Sequence, residues 1–251
     1  MRRGLLLTLT LGLFAAVAPT AHAGTVSVFA CESNGIVWDN KSWTGVAAQG
    51  IAAHSVCPTA GTLIGNDVGP GTNPIPDGAA GTTTFTAPAG TSIADFSFTR
   101  GLTYENPTAA GTHRLYALYR LGSQVFAGAG NYDDAVRNQL NAQRSWYGYP
   151  QNNVALPKAL VSRSSFPALA GYRGDATTLQ VAVGCFRRGS PCSVAKGGRV
   201  RNALYGAQVV LNDPSAPAAT VEASGLLAGG QRSGADPITL TASDATGIKR
   251  V

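Results

Sequence analysis

The sequence predicts an all-β protein: an antiparallel β-sandwich of jelly-roll type over residues 24–213, then a short linker and a partial β segment over 218–251. Three observations carry this prediction. Short runs of alternating apolar and polar residues recur along the chain, as they do in strands that bury one face and wet the other. Gly and Pro, 31 and 14 residues, break the connections between those runs. Within GTTTFTAPAGTSIADFSFTR, residues 81–100, two such runs meet at Ala87-Pro88-Ala89-Gly90, where a fixed φ followed by a permissive one suits a turn or a sheet-to-sheet crossing.

The elements follow in order. Met1-Arg2-Arg3, an apolar run from Leu5 to Ala18 and Ala21-His22-Ala23 have the form of a secretory leader over residues 1–23. No later run has the length and apolarity of a bilayer span, so release from the membrane is expected. Val26 to Cys31 reads as the first strand. Glu32 to Thr62, with Trp38 and Trp43, reads as loops and short strands, and Gly65 to Gly81 as an exposed Gly/Pro loop. In the 81–100 stretch, alternation places Thr83 with Phe85 on one face, then Ala94, Phe96 and Phe98 together on another.

Arg114 to Leu121 is apolar on both faces, as in a central strand packed on two sides or one bearing a surface aromatic. Residues 131–149 are polar enough to read as a long excursion with one or two helical turns, and long loops of this kind carry function in compact β domains. Thr178 to Cys185 places Leu179, Val181, Val183 and Cys185 on one face. Arg201 to Leu211 places Tyr205, Ala207, Val209 and Leu211 on one face and ends at the proline-rich linker 214–217. Residues 218–251 contain further strand patterns but fall far short of the ~100 residues of an immunoglobulin sandwich.

Nineteen basic and thirteen acidic residues give a net charge of +6, and cleavage of the leader would lower it to about +4. This scattered excess, on an exported chain with no binding module in view, argues against nucleic acid as a partner. Cys31, Cys57, Cys185 and Cys192 permit three pairings; proximity favours Cys31 with Cys57 and Cys185 with Cys192.

The cysteine-bearing first strand, TFTAPAGTSIADFSFTR, the Gly184-Cys185 to Cys192 turn, LYGAQVVLNDPSAP and the following SGLLAGGQRSG and ITLTASDATGIKRV segments resemble a group of secreted actinobacterial proteins. Those proteins have a lectin-type (concanavalin A-like or laminin G-like) jelly roll followed by immunoglobulin-like repeats, and the resemblance spans most of residues 25–251. It implies a lectin-like fold and export, with residues 218–251 corresponding to an incomplete immunoglobulin-like repeat. The shared motifs are structural, so no catalytic residue is carried over.

The residues also speak for binding over catalysis. A glycosidase on this fold needs two facing carboxylates, and the three glutamates, Glu32, Glu105 and Glu222, stand far apart in sequence. No Gly-x-Ser-x-Gly elbow occurs, and His54 and His113 lack recognisable partners. Trp146, Tyr147 and Tyr149 offer flat faces for stacking on sugar rings, and Asn152 and Asn153 offer amides for hydroxyls. A glycan is therefore the expected ligand, and rings folded back as a cover over the sandwich are the competing expectation. Asn131, Asp133 and Asp134 supply hard oxygens for a candidate calcium site.

Overall fold

The structure, a computed structural model, describes residues 24–33, 36–38, 42–55, 64–69, 74–105, 115–130, 132–147, 154–172, 175–186, 189, 191–194, 198–221 and 239–244. Residues 1–23, the predicted leader, lie outside them. In chain order the strands are β1 (Gly24–Ser33), β2 (Ile36–Trp38), β3 (Trp43–Val46), β4 (Ala52–Ser55), β5 (Ile64–Val68), β6 (Ala80–Thr86), β7 (Ser92–Glu105), β8 (Leu115–Leu121) and β9 (Gln124–Gly130). Helix α1 (Asp134–Ala142) follows, then β10 (Trp146–Tyr147), β11 (Val154–Ser162), two short 3-10 turns, β12 (Thr178–Cys185), β13 (Arg199–Asp213), β14 (Ala218–Val221) and β15 (Leu240–Ser243).

Among the described residues these strands form a seven-stranded sheet with the path β11-β7-β13-β1-β2, to which β5 and β4 add beside β13, and a six-stranded sheet, β10-β9-β8-β12-β6-β3. All pairings are antiparallel except that of β10 with β9. From β6 the chain crosses to β7, back to β8, β9 and β10, over to β11, back to β12 and over to β13. This repeated exchange between stacked sheets is the jelly-roll pattern. The Pro88 corner is thus a crossing between sheets: β6 pairs with β12 and β3, whereas β7 pairs with β13 and β11.

Apolar burial between the sheets holds them together. Phe96 and Phe98 of β7 meet Phe126 of β9 and Tyr119 of β8 at ring separations of 5.4 and 5.5 Å, and Phe166 closes on Phe126 at 4.7 Å. Each fully buried ring of this kind stabilises by about 2 to 3 kcal/mol. Two hydrogen bonds cross the same interior, Thr83 Oγ1 to the Gly65 carbonyl at 3.1 Å and Asn202 Nδ2 to the Leu118 carbonyl at 2.6 Å.

Several expectations hold. Leu179, Val181, Val183 and Cys185 share a buried face, and β8 is packed on both sides. Two bulges overturn others. Opposite Val210 and Leu211 the register steps from Asp95 to Ile93, so Ile93 replaces Ala94 in the buried row with Phe96 and Phe98. The carbonyl of the skipped Ala94 is taken by the Arg163 guanidinium. At Leu204 to Gly206 the register skips Tyr205, so Leu204 is buried and Tyr205 leaves the face of Ala207, Val209 and Leu211. One extra residue in a strand reverses the alternation beyond it.

The described residues of the 65–81 stretch are also more than an exposed loop. Residues 64–68 form β5 on the edge of β13, with Asn66 and Val68 buried, and Ile75 is buried with a two-bond bridge to Cys192. Gly65 is required where β5 passes over Asn202: a Cβ there would strike the Asn202 carbonyl. Glycine and asparagine therefore serve close approach here, despite their poor strand propensity.

Cys185 and Cys192 form a disulfide. Cys31 is disulfide-bonded too; Cys57, its predicted partner, lies outside the described residues. The strand ladder of β13 ends where Asp213 Oδ1 accepts from the Ser215 amide and hydroxyl at 3.0 and 2.8 Å, and Pro214 can donate nothing to continue it. Beyond, β14 and β15 pair as a two-stranded antiparallel ribbon.

Candidate functional site

The polar excursion is built around α1. Asp133 starts the helix, its Oδ1 accepting from the backbone amides of Ala135 and Val136 at 2.9 and 3.2 Å, and Asp134 pairs with Arg137 at 2.7 Å. Val136 and Leu140, four residues apart, share a helix face, and Leu140 is fully buried. That face packs on the outside of the six-stranded sheet with Tyr116, Leu118, Val125, Ala182 and Trp146, and so supplies the second covering that β8 needs.

Trp146 therefore does not present a sugar-stacking face. It is 7% exposed, and its ring lies so close to Gly128 that a Cβ there would come within 2.5 Å of Cζ3. Of the two expectations for this ring, cover over the sandwich is the one that holds, and Trp146 is removed from the candidate ligand-binding residues: an apolar ring on a sheet whose outer face is apolar is worth more as cover. Tyr147, the next residue on the strand, points to the opposite side, is half-buried and packs against the inter-sheet core. Tyr149, Asn152 and Asn153 lie outside the described residues. Of the calcium candidates, Asp133 and Asp134 are engaged in the cap and ion pair, and Asn131 lies outside the described residues. Among the described residues no group of three or more His, Cys, Asp or Glu is placed to hold a metal ion.

The outer face of the seven-stranded sheet holds a second arrangement, which sequence alternation missed. The bulge at Tyr205 turns its ring outward over Gly101 of the neighbouring strand. A Cβ at Gly101 would lie 2.8 Å from Tyr205 Cε2, so only glycine leaves the ring this seat. Lys158 Nζ stands 3.9 Å from the centre of the Tyr205 ring and Arg201 Cζ stands 5.9 Å from it. Lys158 is carried there by the irregularity between Leu156 and Ala159 in edge strand β11, where Pro157 interrupts the ladder.

Arg201 pairs across to Asp67 of β5 in the ladder, and Arg199 grips the Asp67 carboxylate with Nε at 3.0 and 3.1 Å and with Nη2. The Asp67 hydrogen bond raises the Arg199 pKa above its ordinary value, against an opposing effect of burial. Among the described residues neither Lys158 nor Arg201 has a carboxylate partner. The result is an aromatic ring set in a sheet face, with Lys158 over it and Arg201 farther off. Gly206 was the available signal, since a glycine inside a strand pattern marks a bulge.

Inside the sandwich, Arg100 stands in the inward row of β7 between Phe98 and Leu102, and its Cζ lies 5.7 Å from the Tyr147 ring. The Tyr119 hydroxyl is buried nearby. Burial pushes that phenol's pKa well up, and the Arg100 charge pulls it partly back.

Against known proteins, the chain matches no family model and no curated protein.

Proposed function

We propose that this is a secreted, non-catalytic binding protein whose ligand is an extracellular or cell-wall glycan. The observation that carries the reading is the outward Tyr205 ring, seated on Gly101 and flanked by Lys158 and Arg201. An aromatic plane stacks on the apolar face of a sugar ring while surrounding N–H donors reach its hydroxyls. A disulfide belongs to an oxidising compartment, which supports export. The sugar class itself rests on the lectin-type resemblance and on the sandwich as a scaffold, which is analogy at the level of fold. Tyr149, Asn152 and Asn153 remain a second contributing stretch in this reading, without Trp146 and Tyr147.

A glycan array probed with the mature chain tests it. Wild-type protein is expected to retain at least one glycan class, Tyr205→Ala to lose about tenfold or more in affinity, and Trp146→Phe to bind as wild type. Failure of the wild type on every glycan, or undiminished binding by Tyr205→Ala, removes the proposal. The first of those outcomes favours a second reading, a structural extracellular β-module, which the burial of Trp146 as a cover already supports.

A further inference from the structure

Arg100 is the inward-facing cation that the binding surface does not use. Its neighbours along the row, Phe98 and Leu102, are each 1% exposed, and its own Nε and Nη1 are buried with no hydrogen-bond partner. The Tyr119 hydroxyl, reaching in from the opposite sheet on a side chain 1% exposed, is likewise buried without a partner. Tyr147, on edge strand β10, covers the guanidinium from the side. Across the seven-stranded sheet Arg100 pairs in register with Leu204 and Ala159, so no neighbouring strand offers it a carboxylate.

This is an unbalanced inventory. A guanidinium has N–H donors and no acceptor, and a phenol supplies one further O–H. A buried charge is ordinarily paired, since desolvation without a partner is among the costliest features a fold can carry. What is missing is an acceptor of negative charge. The guanidinium's planar fork matches the oxygens of carboxylate, sulfate and phosphate, and an adjacent O–H adds a third donor.

We propose that Arg100, Tyr119 and Tyr147 form an oxyanion site between the sheets beside edge strands β10 and β11, with Arg100 and Tyr119 donating to the anion and the Tyr147 ring walling it. The anion is either a free inorganic ion or a carboxylate carried by an acidic sugar. The shared chemistry is an oxyanion held by a fork and a hydroxyl.

Thermal unfolding of the mature chain, titrated with sodium sulfate, sodium phosphate or sodium glucuronate against sodium chloride at matched ionic strength, tests this. At least one oxyanion is expected to raise Tm saturably above the chloride control. Saturation with sulfate or phosphate identifies a free-ion site, and saturation with glucuronate alone identifies a sugar-borne carboxylate. Arg100→Met is expected to abolish the saturable rise, and Tyr119→Phe to raise the half-saturating concentration by about tenfold. Should Arg100→Met not fold, Arg100→Lys, which keeps the charge and loses the fork, takes its place with a similar weakening expected. No response above chloride in the wild type, or an unchanged response in a folded variant of either residue, overturns the site. Because inorganic ions serve as probes, the result is independent of the glycan array.

Discussion

Tyr119 holds a phenol in an apolar interior, and its burial has a measurable signature at alkaline pH. Burial favours the neutral form, so the folded-state pKa lies above the ordinary value of 10.0. Above that value the unfolded chain has lost the phenolic proton while the native chain keeps it, so stability falls with rising pH, by up to about 1.4 kcal/mol per pH unit from this residue. Below it the contribution is fully present and flat. Tyr119→Phe is expected to lose this slope: urea midpoints of wild type and variant, compared from pH 8 to 11, should diverge above pH 10 and run parallel below. Parallel curves throughout would place the phenol in water. At this scale the sequence was only partly legible. The alternation of Leu115, Ala117 and Tyr119 marks an inward row, whereas the orphaned state of a hydroxyl depends on what the opposite sheet brings to it. Arg100 likewise sits in phase with Phe96 and Phe98, but only the stacking of the second sheet shows its Nε and Nη1 to be buried.

At the scale of elements, α1 shows how a polar segment can be cover instead of a binding loop. Its start depends on Asp133, whose carboxylate satisfies two of the amides a helix leaves free at its first turn. Asp133→Ala is expected to cost about 1 kcal/mol, read as a lower denaturation midpoint at unchanged m-value, whereas Asp133→Asn, an equally good cap, should be nearly silent. A calcium ligand would respond to both changes, with the loss appearing only when the ion is present. The strands themselves were legible wherever the alternation ran uninterrupted, as in β12 and β8. Ala94 and Tyr205 defeated it because a bulge adds one residue without altering composition, and the faces exchange beyond it. The same cause hid the Tyr205 surface, since the residue that alternation assigned to the core is the one the bulge turns outward.

For the molecule as a whole, strand spacing and Gly/Pro connections pointed to a β-sandwich and the Pro88 corner to a turn or a crossing, while the order of exchange between sheets and the partnering of β5 with β13 were not legible, because nothing in Ile64-Gly65-Asn66-Asp67-Val68 names a strand so distant in sequence. The Cys185–Cys192 bridge closes a short loop, with a sequence separation of 7. Replacing both cysteines by serine is expected to lower stability by about 2 to 3 kcal/mol on chain-entropy grounds. Guanidinium unfolding of the variant against wild type, both kept oxidised so that the disulfide of Cys31 stays closed, reads the loss; equal stability would mean that the backbone bridge of Ile75 to Cys192 suffices.

Gly24 and Asp213 occupy one rung of the ladder between β1 and β13, and β13 also carries β7 along its other edge and β5 beyond the end of β1. The spine of the larger sheet is therefore the last strand of the sandwich to be synthesised. Until it emerges, β1, β5 and β7 have no common partner and the larger sheet cannot assemble, although every strand of the six-stranded sheet is already in the chain. This order of strands leaves the sandwich unable to close until its last strand is complete.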